Sequence, residues 1–411
     1  MKEGYVVVIP GTRGRNSIQT IYTGRAPKAI LDLKAAIRYL RHFDKEMLGN
    51  AERIITDGTS AGGAMSALMG ATGNNPEYAD MLKAMGAADE RDDVFASVCY
   101  CPIIDLEHAD MAYEWLYQQT DSRQALDDVH KGYTKELAAL FPAYVNSLNL
   151  SKPDGTPLNA DNYLDYIKSE IIRSAQIAKN AGADIPDSIG FSLSSSAGGM
   201  FAAPINGSPT PGSFQRGRGV DSPSAGFHRS QGNFSPPSQG GARGGSSMGE
   251  YITDLDMQKY LNYVVSTQAL KSVPAFDSQI EGINSASGEN EEFGDETGNS
   301  VNFTDFTAQK NGTALTDAIR KNVRLMNPMS FIGDSNTTIA QHWYIIRHGA
   351  RDRDTAFPVP INFATRLQNA GKDVNFLLAW NRPHSGDYAL DELFEWIAGI
   401  VSKRLVEEEG E

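Results

Sequence analysis

Residues 53–69, Arg53-Ile54-Ile55-Thr56-Asp57-Gly58-Thr59-Ser60-Ala61-Gly62-Gly63-Ala64-Met65-Ser66-Ala67-Leu68-Met69, decide how the rest of the chain is read. The apolar run ending at Asp57 reads as a strand, and the small apolar residues from Ala64 read as the start of a helix. Between them, Gly58-Thr59-Ser60-Ala61-Gly62 sets a serine on a tight strand-to-helix turn. Such a turn leaves room only for small residues beside the serine, which accounts for a glycine on each side. It lifts the hydroxyl clear of the sheet edge and holds it at a helix N-terminus, where developing negative charge is favoured. A glycine-rich structural turn is the competing reading, and the flanking strand and helix weigh against it.

A nucleophilic serine needs a base, and the base needs an orienting acid. Seven histidines are available: His42, His108, His130, His228, His342, His348 and His384. Residues 343–346 read as a buried strand followed by the polar loop Arg347 to Asp352; residues 360–370 read as a helix stopped by Gly371. Residues 374–380 read as another buried strand, with His384 in the loop behind it. Ser60, then Asp352 after one strand, then His384 after the next, is the chain order of an α/β-hydrolase. His348 precedes the acid and fails that order, whereas Asp354 competes with Asp352 from two residues away. The Ala61 amide, following the nucleophile, is the expected oxyanion donor.

The expected fold class is therefore α/β, a parallel-type sheet with helices on both faces and a large lid insertion. Sheet strands are read near residues 5–9, 53–57, 94–101, 342–347 and 374–380, and Pro27 opens a helix with Ile30, Leu33, Ile37 and Leu40 on one face. Only one strand is read before the elbow strand, so the first strands of the fold, with the loop that usually supplies half the oxyanion hole, read as missing: an N-terminally truncated chain. Residues 1–101 and 334–411 form the expected hydrolase core, and 102–333 the inserted lid, with helical stretches at 163–182 and 257–270. Within the insertion, 204–249 is dense in Gly, Ser and Pro and reads as a disordered linker. Its excess of arginine suits an anionic surface less well than it suits a passive connection.

Composition narrows the function further. Lys+Arg 37 against Asp+Glu 51 gives a net charge of −14, which argues against nucleic acid as a partner. Mean hydropathy is −0.37, and no apolar run approaches the roughly 20 residues of a spanning helix. No signal peptide is visible, which favours a cytoplasmic location. Cys99 and Cys101 lie two apart in an apolar strand and read as core thiols of a reducing compartment rather than a bridge. No Cys/His set has zinc spacing. Asp105, Glu107, His108 and Asp110 suggest a metal at first sight, but a solvated acidic loop is the preferred reading, so neither metal nor cofactor is expected.

Six stretches together resemble the bacterial tannase/feruloyl esterase-like group of α/β-hydrolases. They are Gly4 to Val7 running into Pro10-Gly11-Thr12-Arg13-Gly14-Arg15; Gly24 to Arg41; Asp57 to Gly63; Cys101-Pro102-Ile103 with His108 to Trp115; Arg347 to Thr355; and Pro383-His384-Ser385-Gly386-Asp387-Tyr388. The resemblance covers residues 1–120 and 255–400. It implies hydrolysis of gallate and related phenolic esters through a Ser–Asp–His triad, falling on Ser60, Asp352 and His384. It further implies that Asp354 contacts a phenolic hydroxyl, that Ile103 lines the galloyl ring, and that a lid glutamate and lysine complete the contacts. Glu289 or Glu291 offers the glutamate, and Lys271 is the nearby lysine. The expected partner is a small phenolic ester. The alternatives are a serine hydrolase of other esters or peptides, and a truncated, catalytically impaired hydrolase-like protein.

Overall fold

The structure, a computed structural model, describes residues 4–194 and 250–409. Its principal sheet has four parallel strands, β1 (Ile55–Thr59), β2 (Ala96–Tyr100), β3 (His342–Gly349) and β4 (Asp373–Ala379), lying side by side in chain order. Ile55 pairs with Ala96, Ala96 with His342, and His342 with Asp373, so one row of residues crosses the whole sheet. The observed elements are those of the α/β class expected above.

One expected strand is not formed. Residues 5–9 run without pairing, and Val6, Val7, Val8 and Ile9 are 54, 61, 49 and 88 % exposed. A run of β-branched residues shows what would suit a sheet, but a strand exists only where a neighbour supplies hydrogen bonds. Among the described residues β1 is an edge strand, and its side chains are half-buried or exposed where those of β2 are all buried.

Strand β2 shows how the two faces are filled. Val98 and Tyr100 point with Tyr344 toward Leu393 and Ile397 of a helix spanning Leu390–Glu409. Cys99, on the other face, packs in the larger core with Ala64, Ala67 and Leu68. The period of two in a parallel strand therefore buries both faces.

Helix α1 spans Lys28–His42, beginning after Pro27 as expected. Its buried stripe is Ile30, Leu31, Lys34, Ile37 and Arg41, while the expected Leu33 and Leu40 are only half-buried. Two cations hold buried positions because partners await them. Lys34 Nζ lies 2.8 Å from Asp92 and donates to the Thr72 carbonyl at 2.6 Å, and Arg41 donates to the Asp93 carbonyl at 2.7 Å. Hydrophobicity alone cannot reveal such positions, since a buried charge is tolerable only when paired.

Helix α2 (Ala61–Ala71) follows the elbow. Between β2 and β3 come α3 (Leu106–Tyr117), α4 (Asp128–Ser147), α5 (Tyr163–Asn180) and α6 (Met257–Thr267), the last two close to the expected helices. Helix α7 (Pro358–Asn369) joins β3 to β4 and starts two residues before the expected position; Gly371 follows it at φ +72°. The stretches Met1–Ser192 and Ile252–Glu411 form one compact unit, and Tyr113, Tyr117 and Ile167 of the insertion share its core with Ile345 and Phe363. The linker read at 204–249 lies outside the described residues.

Cys99 and Cys101 are buried and not bridged to each other, as the spacing suggested. Burial pushes the Cys99 thiol up to about 12 and raises Cys101 above the ordinary thiol range. Since the thiolate is the reactive form, the folded chain is expected to resist iodoacetamide at pH 8 and to take up two carbamidomethyl groups once unfolded in guanidinium. Mass spectrometry reads the result, and rapid labelling of either cysteine in the folded state would contradict it.

Candidate active site

Ser60 stands between the end of β1 and the start of α2 with φ 61° and ψ −119°. A serine avoids this backbone region unless its surroundings hold it there. Here the Ser60 amide donates to the Tyr100 carbonyl at 2.9 Å, while the Ser60 carbonyl accepts from Ala64 at 2.9 Å and from Ile103 at 3.4 Å. The close approaches require two glycines, though not the symmetrical pair expected. A Cβ on Gly58 would lie 2.1 Å from the Gly62 carbonyl oxygen, and one on Gly63 would lie 2.6 Å from the Tyr100 carbonyl oxygen. Gly62, the second glycine of the pentapeptide, has no such neighbour within 4 Å.

Three side chains far apart in the chain line up here. His384 Nε2 is 2.8 Å from Ser60 Oγ, and His384 Nδ1 is 2.8 Å from Asp352 Oδ2. An ionised carboxylate only accepts, so Nδ1 carries the proton toward Asp352 and Nε2 is left to accept from the serine hydroxyl. Asp352 is completely buried, and its other oxygen accepts from the Asp354 amide at 2.8 Å. Burial lowers the His384 pKa, but the hydrogen bond and charge of Asp352, with the charge of Asp354, outweigh it and leave the imidazole above its ordinary value. Lys271 acts on the same imidazole in the opposite direction, so Asp354 and Lys271 both lie within electrostatic reach of it.

The remaining expected residues divide into those brought here and those not. Ile103 abuts the elbow through its bond to Ser60. Asp354 is 3.2 Å from Arg353, with its side chain 21 % exposed. Lys271 and Glu289 line one cleft of about 430 Å³, together with Ser272, Ala275 and Ser287. Glu291 turns elsewhere and pairs with Arg15 at 3.0 Å. Ala61 opens α2, so its amide is one of those that the helix itself cannot satisfy.

Several residues around the site have no role assigned from the sequence. The Tyr113 hydroxyl donates to the Arg353 carbonyl at 2.7 Å, Tyr117 donates to the Asp352 carbonyl at 3.3 Å, and Tyr260 donates to the Ala350 carbonyl. The Asp352 loop thus hangs from hydroxyls on α3 and α6. Cys101 Sγ donates to the Ser385 carbonyl at 3.2 Å, beside His384. Asp110 accepts from the Phe276 and Asp277 amides at 2.7 and 3.0 Å, and burial, then Asp277, pushes its pKa up to about 7. A stripe of buried tyrosines on α3, at positions 113 and 117, was the available signal, but it does not name their partners.

The acidic stretch 105–110 is not the solvated loop expected. Asp105 and Asp110 are 3 and 2 % exposed. Asp105, Glu107 and His108 offer ligand atoms close together, yet Asp105 already binds His108 Nδ1 at 2.7 Å and Asn327 Nδ2 at 2.9 Å. Tyr144 donates to the other Asp105 oxygen and stacks on His108 with ring centres 3.7 Å apart. Internal partners account for this cluster.

Fold and elbow together define an α/β-hydrolase, and comparison with known proteins narrows the class. The BD-FAE family matches residues 1–147. The tannin acyl hydrolase of Lactobacillus plantarum in its native structure is 34 % identical, with a TM-score of 0.74 over 95 % of this chain and 75 % of that one. A tannin acyl hydrolase in complex with 3,4-dihydroxybenzoate is 35 % identical over the same shares, also at a TM-score of 0.74. Fusobacterium nucleatum tannase is 32 % identical, with a TM-score of 0.73 over 95 % of this chain and 77 % of that one. No curated protein sequence matches. The chain belongs to the tannase family of α/β-hydrolases, which are carboxylic ester hydrolases.

Gly58→Ala and Gly63→Ala are each expected to cost about 1–3 kcal/mol, because the added methyl meets backbone atoms. Gly62→Ala, in open space near the start of α2, is expected to leave stability unchanged or slightly raised. Thermal melting of the three variants checks the order, and a Gly62→Ala variant as unstable as Gly58→Ala would refute it.

Proposed function

We propose that the chain is a serine esterase of phenolic, galloyl-type esters that works through an acyl-enzyme. One observation carries the reading: Ser60, His384 and Asp352 are joined by two 2.8 Å hydrogen bonds at a strained elbow. Ser60 Oγ attacks the ester carbonyl while His384 Nε2 takes its proton, and Asp352 stabilises the imidazolium that forms. Negative charge grows on the former carbonyl oxygen, toward the Ala61 amide. His384 returns the proton to the leaving alcohol, and water then repeats the sequence to release the acid. Side chains and a backbone amide supply every step of this scheme.

The acyl group is bound by residues converging from two sides. Structures of tannin acyl hydrolases with ethyl gallate and with 3,4-dihydroxybenzoate support an aromatic acid bearing adjacent hydroxyls as the ligand. In this chain Asp354 accepts from a ring hydroxyl, Ile103 covers the ring beside the elbow, and Lys271 and Glu289 reach from their shared cleft. The place of Glu289 in that cleft, with Glu291 held by Arg15, supports Glu289 for the glutamate contact. The described residues 102–192 and 252–333 of the insertion act as the lid. A small-molecule ester also accords with the net charge of −14, which disfavours polyanions. No helix among the described residues is long and apolar enough to cross a membrane.

Ser60→Ala is expected to lower kcat for methyl gallate and for nitrophenyl acetate by roughly 10³-fold or more while leaving the melting curve intact. Undiminished turnover in the purified variant would exclude Ser60 as nucleophile.

Asp354→Ala is expected to weaken methyl gallate hydrolysis by roughly tenfold and to spare nitrophenyl acetate, since one buried hydrogen-bond partner is worth about 1–3 kcal/mol. Asp352→Ala should impair both substrates. It should also move the acid limb of the kcat/KM profile to lower pH: the base acts unprotonated, activity falls as pH drops through the His384 pKa, and Asp352 raises that pKa. The reverse pattern would exchange the two roles.

A further inference from the structure

Tyr113 takes no part in the chemistry just described, yet one of its atoms joins both sides of the acyl site. The side chain is fully buried on α3. Its hydroxyl donates to the Arg353 carbonyl at 2.7 Å and accepts from the Lys271 amide at 3.2 Å. Arg353 separates Asp352 from Asp354. The ring is fixed as well, tilted against Tyr117 at 4.9 Å and edge-on to Phe276 at 6.2 Å.

The neighbouring residue completes the grip on Lys271. Glu114 binds Arg123 through two hydrogen bonds of 2.9 and 2.7 Å, and Arg123 donates to the Lys271 carbonyl at 3.0 Å. Consecutive residues of α3 thus hold the amide and the carbonyl of Lys271, whose ammonium lies 3.8 Å from the centre of the Phe276 ring. The backbone that carries Lys271 has little freedom to shift relative to the backbone that carries Asp354. A hydroxyl that donates once and accepts once has used its main capacity, so the arrangement sets a distance.

We propose that Tyr113 is a specificity-positioning residue, whose hydroxyl sets the spacing between Lys271 and Asp354 and thereby selects aromatic acyl groups with adjacent ring hydroxyls. This rests on the phenolic-ester reading of the site. A flat ring presents its hydroxyls at fixed intervals, so two recognising charges gain selectivity only if their own separation is held. An ester without ring hydroxyls engages neither charge and gains nothing from the spacing.

The test is Tyr113→Phe in the full chain, assayed with methyl gallate, methyl 4-hydroxybenzoate and nitrophenyl acetate. KM for methyl gallate should rise by roughly tenfold, the change for methyl 4-hydroxybenzoate should be smaller, and nitrophenyl acetate should be least affected. The acid limb of the pH profile should stay in place, because the His384–Asp352 pair is untouched. Combined with Lys271→Met, which keeps the amide bond to Tyr113, the substitution should add less than it does alone. Because phenylalanine removes two hydrogen bonds, binding of 3,4-dihydroxybenzoate and of benzoate is also compared at a temperature where the variant's circular dichroism matches the parent's. Only the dihydroxy acid should bind more weakly.

Parent protein that cleaves nitrophenyl acetate but not methyl gallate overturns the phenolic-ester reading, and this inference with it. Parent protein that prefers methyl gallate, with a variant that keeps the preference, overturns the inference alone. An equal fall on all substrates, or a displaced acid limb, also overturns it by placing Tyr113 in support of the triad or of the fold.

Discussion

Everything at the site depends on the backbone of Ser60 being held where serine rarely goes. The constraint is local in origin and tertiary in maintenance. Parallel pairing of β1 with β2 brings the Tyr100 carbonyl to the Ser60 amide, and α2 begins at once with the Ser60 carbonyl as its first acceptor. Strain of about 1–3 kcal/mol is sustainable only when neighbours over-determine the conformation. Two hydrogen-bonded flanks and two glycine contacts do so here. The hydroxyl that results faces His384 rather than the core.

Asp352 and His384 are set from a different direction. Asp352 and His384 leave neighbouring strands, β3 and β4, so the sheet register brings their loops together. What fixes the Asp352 loop, however, comes from the insertion: Tyr113 and Tyr117 on α3 and Tyr260 on α6 donate to three of its carbonyls. Each such bond contributes about 1 kcal/mol, and a buried carbonyl left without one costs more. The insertion is thereby part of the scaffold of the site. Its own order rests on buried acids, Asp110 accepting from the Phe276 and Asp277 amides and Asp277 accepting from Asn290, Asn302 and Thr304.

Legibility differed by the range of the interaction. The elbow, the helix from Pro27, the helix before Gly371 and strands β2 to β4 were readable because each is specified by residues adjacent in the chain. The run 5–9 misled, since its composition suits a strand while its surroundings supply no pairing partner among the described residues. Lys34 and Arg41 were hidden on the buried face of α1, because charge normally signals exposure and their partners lie some fifty residues away. The acidic stretch 105–110 was misread for the same reason: its counterparts Tyr144, Phe276, Asp277 and Asn327 are distant in sequence.

The sequence by itself determined the class of the protein and the identity of Ser60, Asp352 and His384 as candidates, since chain order and turn chemistry are properties of short segments and their succession. Only the tertiary structure decided that Gly63 rather than Gly62 is sterically required, that Glu289 rather than Glu291 shares a cleft with Lys271, and that the Tyr113 hydroxyl joins the backbones of Lys271 and Arg353. Tyr113 meets Lys271 and Arg353 at separations of 158 and 240 residues. Contacts of that range arise from the packing of α3 against α4 and α7, and no local pattern in the chain encodes which carbonyl or amide a buried hydroxyl will find.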